Sequence, residues 1–312
     1  MIFVNVGVML AYLTGTYMSY QTLALVMMLL PIGVFVSFIF IPDTPMSLLE
    51  RNKSDDAIES SLKFYLNTSD ISAGNDKERF DSALEFVRSW GEKQKNNPSQ
   101  WSWKNMVAKD SLIGFGKALA MIFFSIFSGS PVLQNYSSIV FKNSGSNMNP
   151  NTSAIIMIVI QVMATIVASA FVDNVGRRTL LIVSSIGTSI GLFAMGTYAF
   201  LTYSNPNGYP DLNWVPVVCI SFTVFLAYIG LLPLIFVVIM EVLPAKARES
   251  YATLCLSLVS LFIFLVVKCY PVAAERFQMH SCMWFFAVVA FAASIFGCFV
   301  LEETKGKNVN MS

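Results

Sequence analysis

The sequence predicts an all-α membrane protein, and three observations carry that expectation. Eight long apolar stretches fall at roughly 2–19, 23–42, 112–141, 152–172, 179–203, 214–241, 251–271 and 281–301. Most reach the ~20 apolar residues that a helix needs to cross ~30 Å of hydrocarbon. Mean hydropathy is +0.62 and only 12% of residues are charged, too little polar surface for a soluble chain of this length. The stretches are also grouped. Two precede one long polar segment at 43–111, six follow it, and a short polar tail occupies 302–312.

The first stretch lacks the basic start of a signal peptide, and a second apolar span follows almost at once, so it is expected to be a membrane helix. Orientation follows from the basic residues. Ten of them, from Arg51 to Lys109, lie in the long polar segment. Others cluster at alternate later breaks: Arg177 and Arg178, Lys246 and Arg248, Lys305 and Lys307. Cytoplasmic loops hold the Lys/Arg excess, which places the polar segment and both termini in the cytoplasm. The net charge of +1 carries no such information. Asn151 heads an Asn-Thr-Ser sequon on the expected outer side and is a glycosylation candidate.

The five cysteines lie in or near spans and form no Cys-x-x-Cys pair, so neither a disulfide framework nor a zinc site is expected. His280 is the only histidine and is expected in an outer loop. No catalytic constellation, metal site or cofactor site follows from one such residue.

The polar segment 43–111 divides into two expected amphipathic helices. Ser54 can cap the first, with Ile58, Leu62, Tyr65 and Leu66 on one face. Phe80, Leu84, Val87 and Trp90 mark the second. Asn96-Asn97-Pro98-Ser99 is a breaker, and Trp101 and Trp103 suit the membrane interface beyond it.

The six later spans read as three plus three. Three crossings reverse direction, so consecutive triplets would be inverted copies. The first span of one triplet carries Gly129-Ser130-Pro131 at mid-membrane, and that of the other carries Gly230-Leu231-Leu232-Pro233. Proline removes a backbone donor and clashes one turn back, so each helix is expected to bend or break there. Gly129, Pro131, Gly230 and Pro233 are therefore hinge candidates. Gly/Pro-interrupted spans at matching places in two repeats point to a transporter's binding site. Charges mark the cytoplasmic ends: Asp173, Arg177 and Arg178 after the second span, Glu241 and Arg248 around the next break, Glu303 after the last span. Acids beside partly desolvated arginines form charge-assisted bonds, and such a network can hold these ends together in one state and release them in another.

At these residues the chain resembles the sugar porter branch of the major facilitator superfamily. Pro42-Asp43-Thr44-Pro45 is similar to the family's Pro-Glu-Ser/Thr-Pro motif, Asp173-x-x-Gly176-Arg177-Arg178 to its Asp-x-x-Gly-Arg-Arg motif, and Glu241 through Arg248 to its Glu-x6-Arg motif. Glu303-Thr304-Lys305-Gly306 resembles its Pro-Glu-Thr-Lys-Gly ending, with Glu302 in place of proline. Asn5-Val6-Gly7 and Gly15-Thr16-Tyr17-Met18 resemble insect facilitated trehalose transporters.

The resemblance implies a partial major facilitator fold, the spans corresponding to helices five to twelve of twelve. Residues 1–42 would then be the last two helices of the N-terminal bundle, 43–111 a cytoplasmic helical loop, and 112–301 the C-terminal six-helix bundle. It further implies a sugar substrate, a hexose or a disaccharide such as trehalose, handled in the bilayer by alternating access. No nucleic acid and no obligate protein partner are implied. A gene-model fragment, splice form or degenerate paralogue would explain the missing helices, and a non-transporting sensor or interaction protein is the rival reading.

The family's Gln-Gln pair falls on Ser125-Ile126, its following Asn on Pro131, and its Tyr-Tyr pair on Asn135-Tyr136. Its Gly-Pro-x-Pro-Trp falls on Leu232-Pro233-Leu234-Ile235-Phe236, and its Asn-Trp on Val259-Ser260. Phe236 can stack on a sugar face but cannot donate as indole does. The polar groups left for a sugar are Ser125, Ser130, Gln134, Asn135, Tyr136, Gln161 and Thr165, with Gly129 beside them. Asp173, Glu241, Glu302 and Glu303 are all expected at cytoplasmic ends, leaving no mid-membrane acid, so facilitated diffusion is expected rather than proton coupling.

Overall fold

The computed structural model describes residues 2–51, 53–67, 75–96, 108–143, 149–204, 212, 214–243 and 248–301. Every regular element among them is helical: α1 (Ile2–Tyr17), α2 (Tyr20–Phe40), α3 (Pro45–Glu50), α4 (Asp55–Leu66), α5 (Asn75–Asn96), α6 (Lys109–Phe127), α7 (Ser130–Asn143), α8 (Pro150–Val175), α9 (Arg177–Ser204), α10 (Val215–Leu226), a π-helical turn (Ala227–Leu231), α11 (Pro233–Val242) and α12 (Arg248–Phe299). The chain divides into two compact units: Met1–Tyr17 with Trp103–Ser312, and Met18–Ser102.

In the smaller unit, α2 begins where the Ser19 hydroxyl accepts from the Thr22 amide. None of its residues is buried, so a largely apolar surface faces outward and needs lipid. Thr44 caps α3, with Pro45 at its first position. Ser54 occupies the N-cap of α4 but its hydroxyl makes no capping bond. Asp55 and Asp56 in the first turn supply the favourable charge instead. Leu48, Ile58 and Val87 form a small apolar core for α3, α4 and α5, with Leu49, Ala57 and Leu84 against it. Tyr65 and Leu66, expected on the buried face of α4, are exposed. The Tyr65 hydroxyl instead donates to the Pro42 carbonyl at 3.0 Å. The breaker at 96–99 and Trp101 and Trp103 lie largely outside the described residues.

In the larger unit, α9 packs most extensively on α12, α10 also lies along α9, α6 packs on α12, and α1 packs on α8. The core holds Met121, Ile122 and Ile126 of α6 and Leu181, Leu192 and Met195 of α9, all fully buried. Outward-facing positions are equally apolar, including Phe193 and Val288, 60% and 67% exposed. A helix bundle apolar both inside and out is a membrane bundle.

Among the described residues six helical segments are long and apolar enough to cross a membrane, and Ile2–Tyr17 is a shorter apolar helix. One of the six, Ser250–Phe299, is 50 residues long. At 1.5 Å per residue it would reach ~75 Å, enough for two crossings. It is broken at Gln278, where φ is 64° and ψ 157°. All eight apolar stretches are thus helical, and the last break falls inside the expected gap between 271 and 281. The helix runs through Pro271, and His280 lies in the helical segment after the break rather than in a loop. Its ring is packed among Phe200, Tyr203 and Trp284.

Candidate functional site

Helices α1 and α8 are tied by a closed polar ring. Gln161 Nε2 donates to Asn5 Oδ1 at 2.8 Å. Asn5 Nδ2 donates to Thr165 Oγ1 at 2.6 Å, and Thr165 Oγ1 donates to the Gln161 carbonyl at 2.9 Å. Gln161 and Thr165 are one turn apart, so both project from one face of α8. All three residues are buried. The remaining acceptor, Gln161 Oε1, has no hydrogen-bond partner.

A second seam joins α1, α7 and the π-helical turn. The Tyr12 hydroxyl donates to the Gln134 carbonyl at 2.7 Å and lies 3.1 Å from Ser137 Oγ. The Tyr228 hydroxyl donates to Gln134 Oε1 at 3.0 Å. Tyr12, Ser137 and Tyr228 were not singled out in the sequence, and Asn5 only within a stretch that carries the family resemblance. Their partners lie on helices more than 90 residues away in the chain.

Other candidate groups are engaged by the protein itself. Ser125 Oγ donates to the Leu231 carbonyl at 3.1 Å, which together with the Tyr228–Gln134 bond links the two interrupted helices. Ser130 Oγ lies 3.1 Å from Ser128 Oγ. Asn135 Nδ2 donates to the Pro131 carbonyl of its own helix at 2.8 Å, and the Tyr136 hydroxyl donates to the Val267 carbonyl at 3.2 Å. Phe236 on α11 is 40% exposed. Asn151 is exposed in the first turn of α8, its amide donating to Asn149 Oδ1.

Both opening helices of the triplets are interrupted. Between α6 and α7 the chain turns at Gly129, whose φ is +83°. A Cβ there would lie 2.5 Å from Phe286 Cδ2. Pro131 follows in the first turn of α7, where its missing amide hydrogen costs nothing. Between α10 and α11 the interruption is one π-helical turn, closed by Pro233 at the start of α11. Gly230 in that turn lets α9 approach, since a Cβ would lie 2.7 Å from the Leu180 carbonyl oxygen.

At the end of the bundle where α9 begins and α11 ends, Arg177 Nε lies 3.3 Å from Glu241 Oε1, the two side chains 18% and 15% exposed. Arg178 donates to two carbonyls at the end of α12, from Nε to Gly297 at 3.2 Å and from Nη2 to Cys298. Arg248 Nε donates to the Leu243 carbonyl at 3.2 Å. Arginines beside the last carbonyls of a helix satisfy orphan acceptors and complement its dipole. The Asp173 side chain and all of Glu303 lie outside what is described.

The model of the sugar (and other) transporter family matches residues 2–311. The chain belongs to that family. Among the family's curated members, facilitated trehalose transporter Tret1 of Bombyx mori is 28% identical over 307 residues, covering 98% of this chain and 59% of the relative. Tret1 of Drosophila pseudoobscura pseudoobscura is 26% identical, and 34% of its length is covered. The chain therefore spans less than two thirds of these relatives.

Solved structures agree on the fold. The inward-open xylose transporter XylE from E. coli superposes with a TM-score of 0.68 at 18% identity, covering 96% of this chain and 60% of that one. XylE bound to 6-bromo-6-deoxy-D-glucose gives 0.63 at 22% identity, covering 90% and 56%. The larger part of a major facilitator fold is thus present, in a multi-pass membrane protein of the sugar transporter family.

Proposed function

We propose that this sugar transporter family member is a facilitative carrier of a hexose or a disaccharide such as trehalose, working by alternating access. The observation that carries the reading is Gln161 Oε1, buried and without a donor inside an otherwise closed polar ring. An unmet buried acceptor costs roughly 1–3 kcal/mol. A sugar hydroxyl would supply the missing donor, and Asn5 and Thr165 stand beside it to exchange partners. Ser125, Ser130, Gln134, Asn135, Tyr136 and Phe236 are the remaining contacts in this reading, near the interruption at Gly129.

The proposed cycle uses the charged end as a clasp. The Arg177–Glu241 pair, with Arg178, Arg248, Asp173 and Glu303, holds one mouth closed, and its release accompanies flexing at Gly129–Pro131 and Gly230–Pro233. Transport is then uniport, the protein sits in the plasma membrane, and both termini face the cytoplasm. Uptake of labelled trehalose and glucose into proteoliposomes tests the proposal. Saturable flux that Gln161→Leu weakens supports it, and flux no greater than that of protein-free vesicles sinks it.

One observation favours a second reading. Ser125, Gln134 and Thr165 already spend hydrogen bonds on other parts of the protein, which suits a degenerate paralogue that senses or docks rather than transports. Robust saturable flux would eliminate that reading.

A further inference from the structure

A cavity of about 450 Å³ lies at the end of α9 away from Arg177, walled by α7, α9 and the break in α12. Its size is that of small-molecule sites, which run from ~300 to ~1,000 Å³. Tyr136, Tyr203 and Tyr270 supply aromatic walls, and Thr202, Glu275 and His280 supply polar ones.

Four features mark it as a built site. The Tyr136 and Tyr270 rings lie 5.5 Å apart, and the bond from Tyr136 to Val267 fixes the first of them. The His280 ring is held 5.3 to 5.9 Å from Phe200, Trp284 and Tyr203. Thr202 Oγ1 is buried with no hydrogen-bond partner. The backbone is irregular on both sides, at Tyr136 (φ −116°, ψ 20°) and at Gln278, whose φ of 64° with ψ of 157° is a region that glycine alone enters freely. Strain of that kind persists where surrounding structure holds it and collects at ligand sites.

We infer that this cavity binds a neutral polyhydroxyl compound, a peripheral site separate from the Asn5–Gln161–Thr165 ring. Tyrosine faces stack on the C–H face of a sugar ring, hydroxyl, amide and imidazole groups accept from or donate to its hydroxyls, and the Glu275 carboxylate accepts from them. The described lining holds no Lys or Arg, which disfavours an anion. An organic cation would use the ring faces and Glu275, but it leaves the Thr202 hydroxyl without a partner. The identity of the polyol as a sugar rests on the carrier reading above. A ligand here bridges α9 and both halves of α12 and so fixes their angle at Gln278.

Trp284 touches His280 and reports occupancy. The chain, reconstituted in lipid nanodiscs, is titrated with trehalose and separately with choline while intrinsic fluorescence is followed. A saturable change with trehalose, absent in Trp284→Phe and shifted about tenfold to weaker binding in both Glu275→Gln and Tyr203→Phe, supports the site; tenfold corresponds to 1.4 kcal/mol. Both substitutions are near-isosteric at exposed positions, and the unchanged circular dichroism expected of them establishes that the fold is kept. No trehalose response, a response indifferent to both substitutions, or saturation by choline alone overturns it. Uptake measured in parallel separates the two proposals, because absent flux with an intact titration removes the carrier and leaves the cavity site standing.

Discussion

Gln161 on α8 donates to Asn5 on α1 across 156 residues of sequence, at 2.8 Å and in a fully buried setting. This bond and its return through Thr165 tie the first helix to the six-span segment. They also make the ring a place where one change strands two partners.

Asn5→Ala removes the acceptor of Gln161 Nε2 and the donor to Thr165 together. A loss of about 1–2 kcal/mol is expected, since hydrogen bonds between membrane helices are individually modest. Asn5→Leu combined with Gln161→Leu is expected to lose less than the sum of the single changes, because no buried polar group is then left unmet. Thermal unfolding in detergent of the four proteins gives the coupling directly, and strict additivity would mean that the two side chains do not interact.

Arg177→Ala and Glu241→Gln should each impair uptake without preventing membrane insertion. Removing one partner of a mostly buried ion pair weakens the state in which the pair forms. The double variant is expected to be no worse than the more damaging single one. Unchanged uptake in both single variants would remove the clasp from the cycle.

Gly129→Ala confronts two penalties that can be told apart. The positive φ costs about 1 kcal/mol for any side chain, and the Cβ meets the Phe286 ring. Adding Phe286→Ala to the glycine variant relieves the second penalty alone, at the cost of its own cavity. Gly230→Ala should be hard to rescue, because part of what its Cβ meets is the Leu180 carbonyl oxygen, backbone rather than a movable ring. Melting temperatures of the three variants, with Phe286→Ala as reference, test this ordering.

The largely exposed apolar surface of α2 predicts that the purified chain leaves solution when detergent is removed. Sedimentation before and after detergent removal checks it, and a chain that stayed dispersed would contradict the membrane assignment.

Much of the fold was legible because apolar length and helix punctuation are local signals. Gly129 and Pro131 mark the break between α6 and α7, and Pro233 opens α11, as backbone chemistry requires. The gap at 272–280 between the last two apolar stretches marks the break in α12, but not the residue that takes it: the helix runs through Pro271, as membrane helices tolerate proline, and breaks at Gln278, which no residue preference announces. The candidate site was legible in residue type but not in partnership. Asn5, Tyr12 and Tyr228 acquire meaning from neighbours more than 90 residues distant. Asn135, by contrast, looked available for a ligand and spends its amide on its own helix.

Uptake of radiolabelled trehalose into proteoliposomes containing this chain, with and without an imposed proton gradient, tests the central proposal most directly. Saturable influx that ignores the gradient and falls in both Gln161→Leu and Arg177→Ala is the expected result. Influx indistinguishable from protein-free vesicles, or influx that only a proton gradient drives, would contradict it.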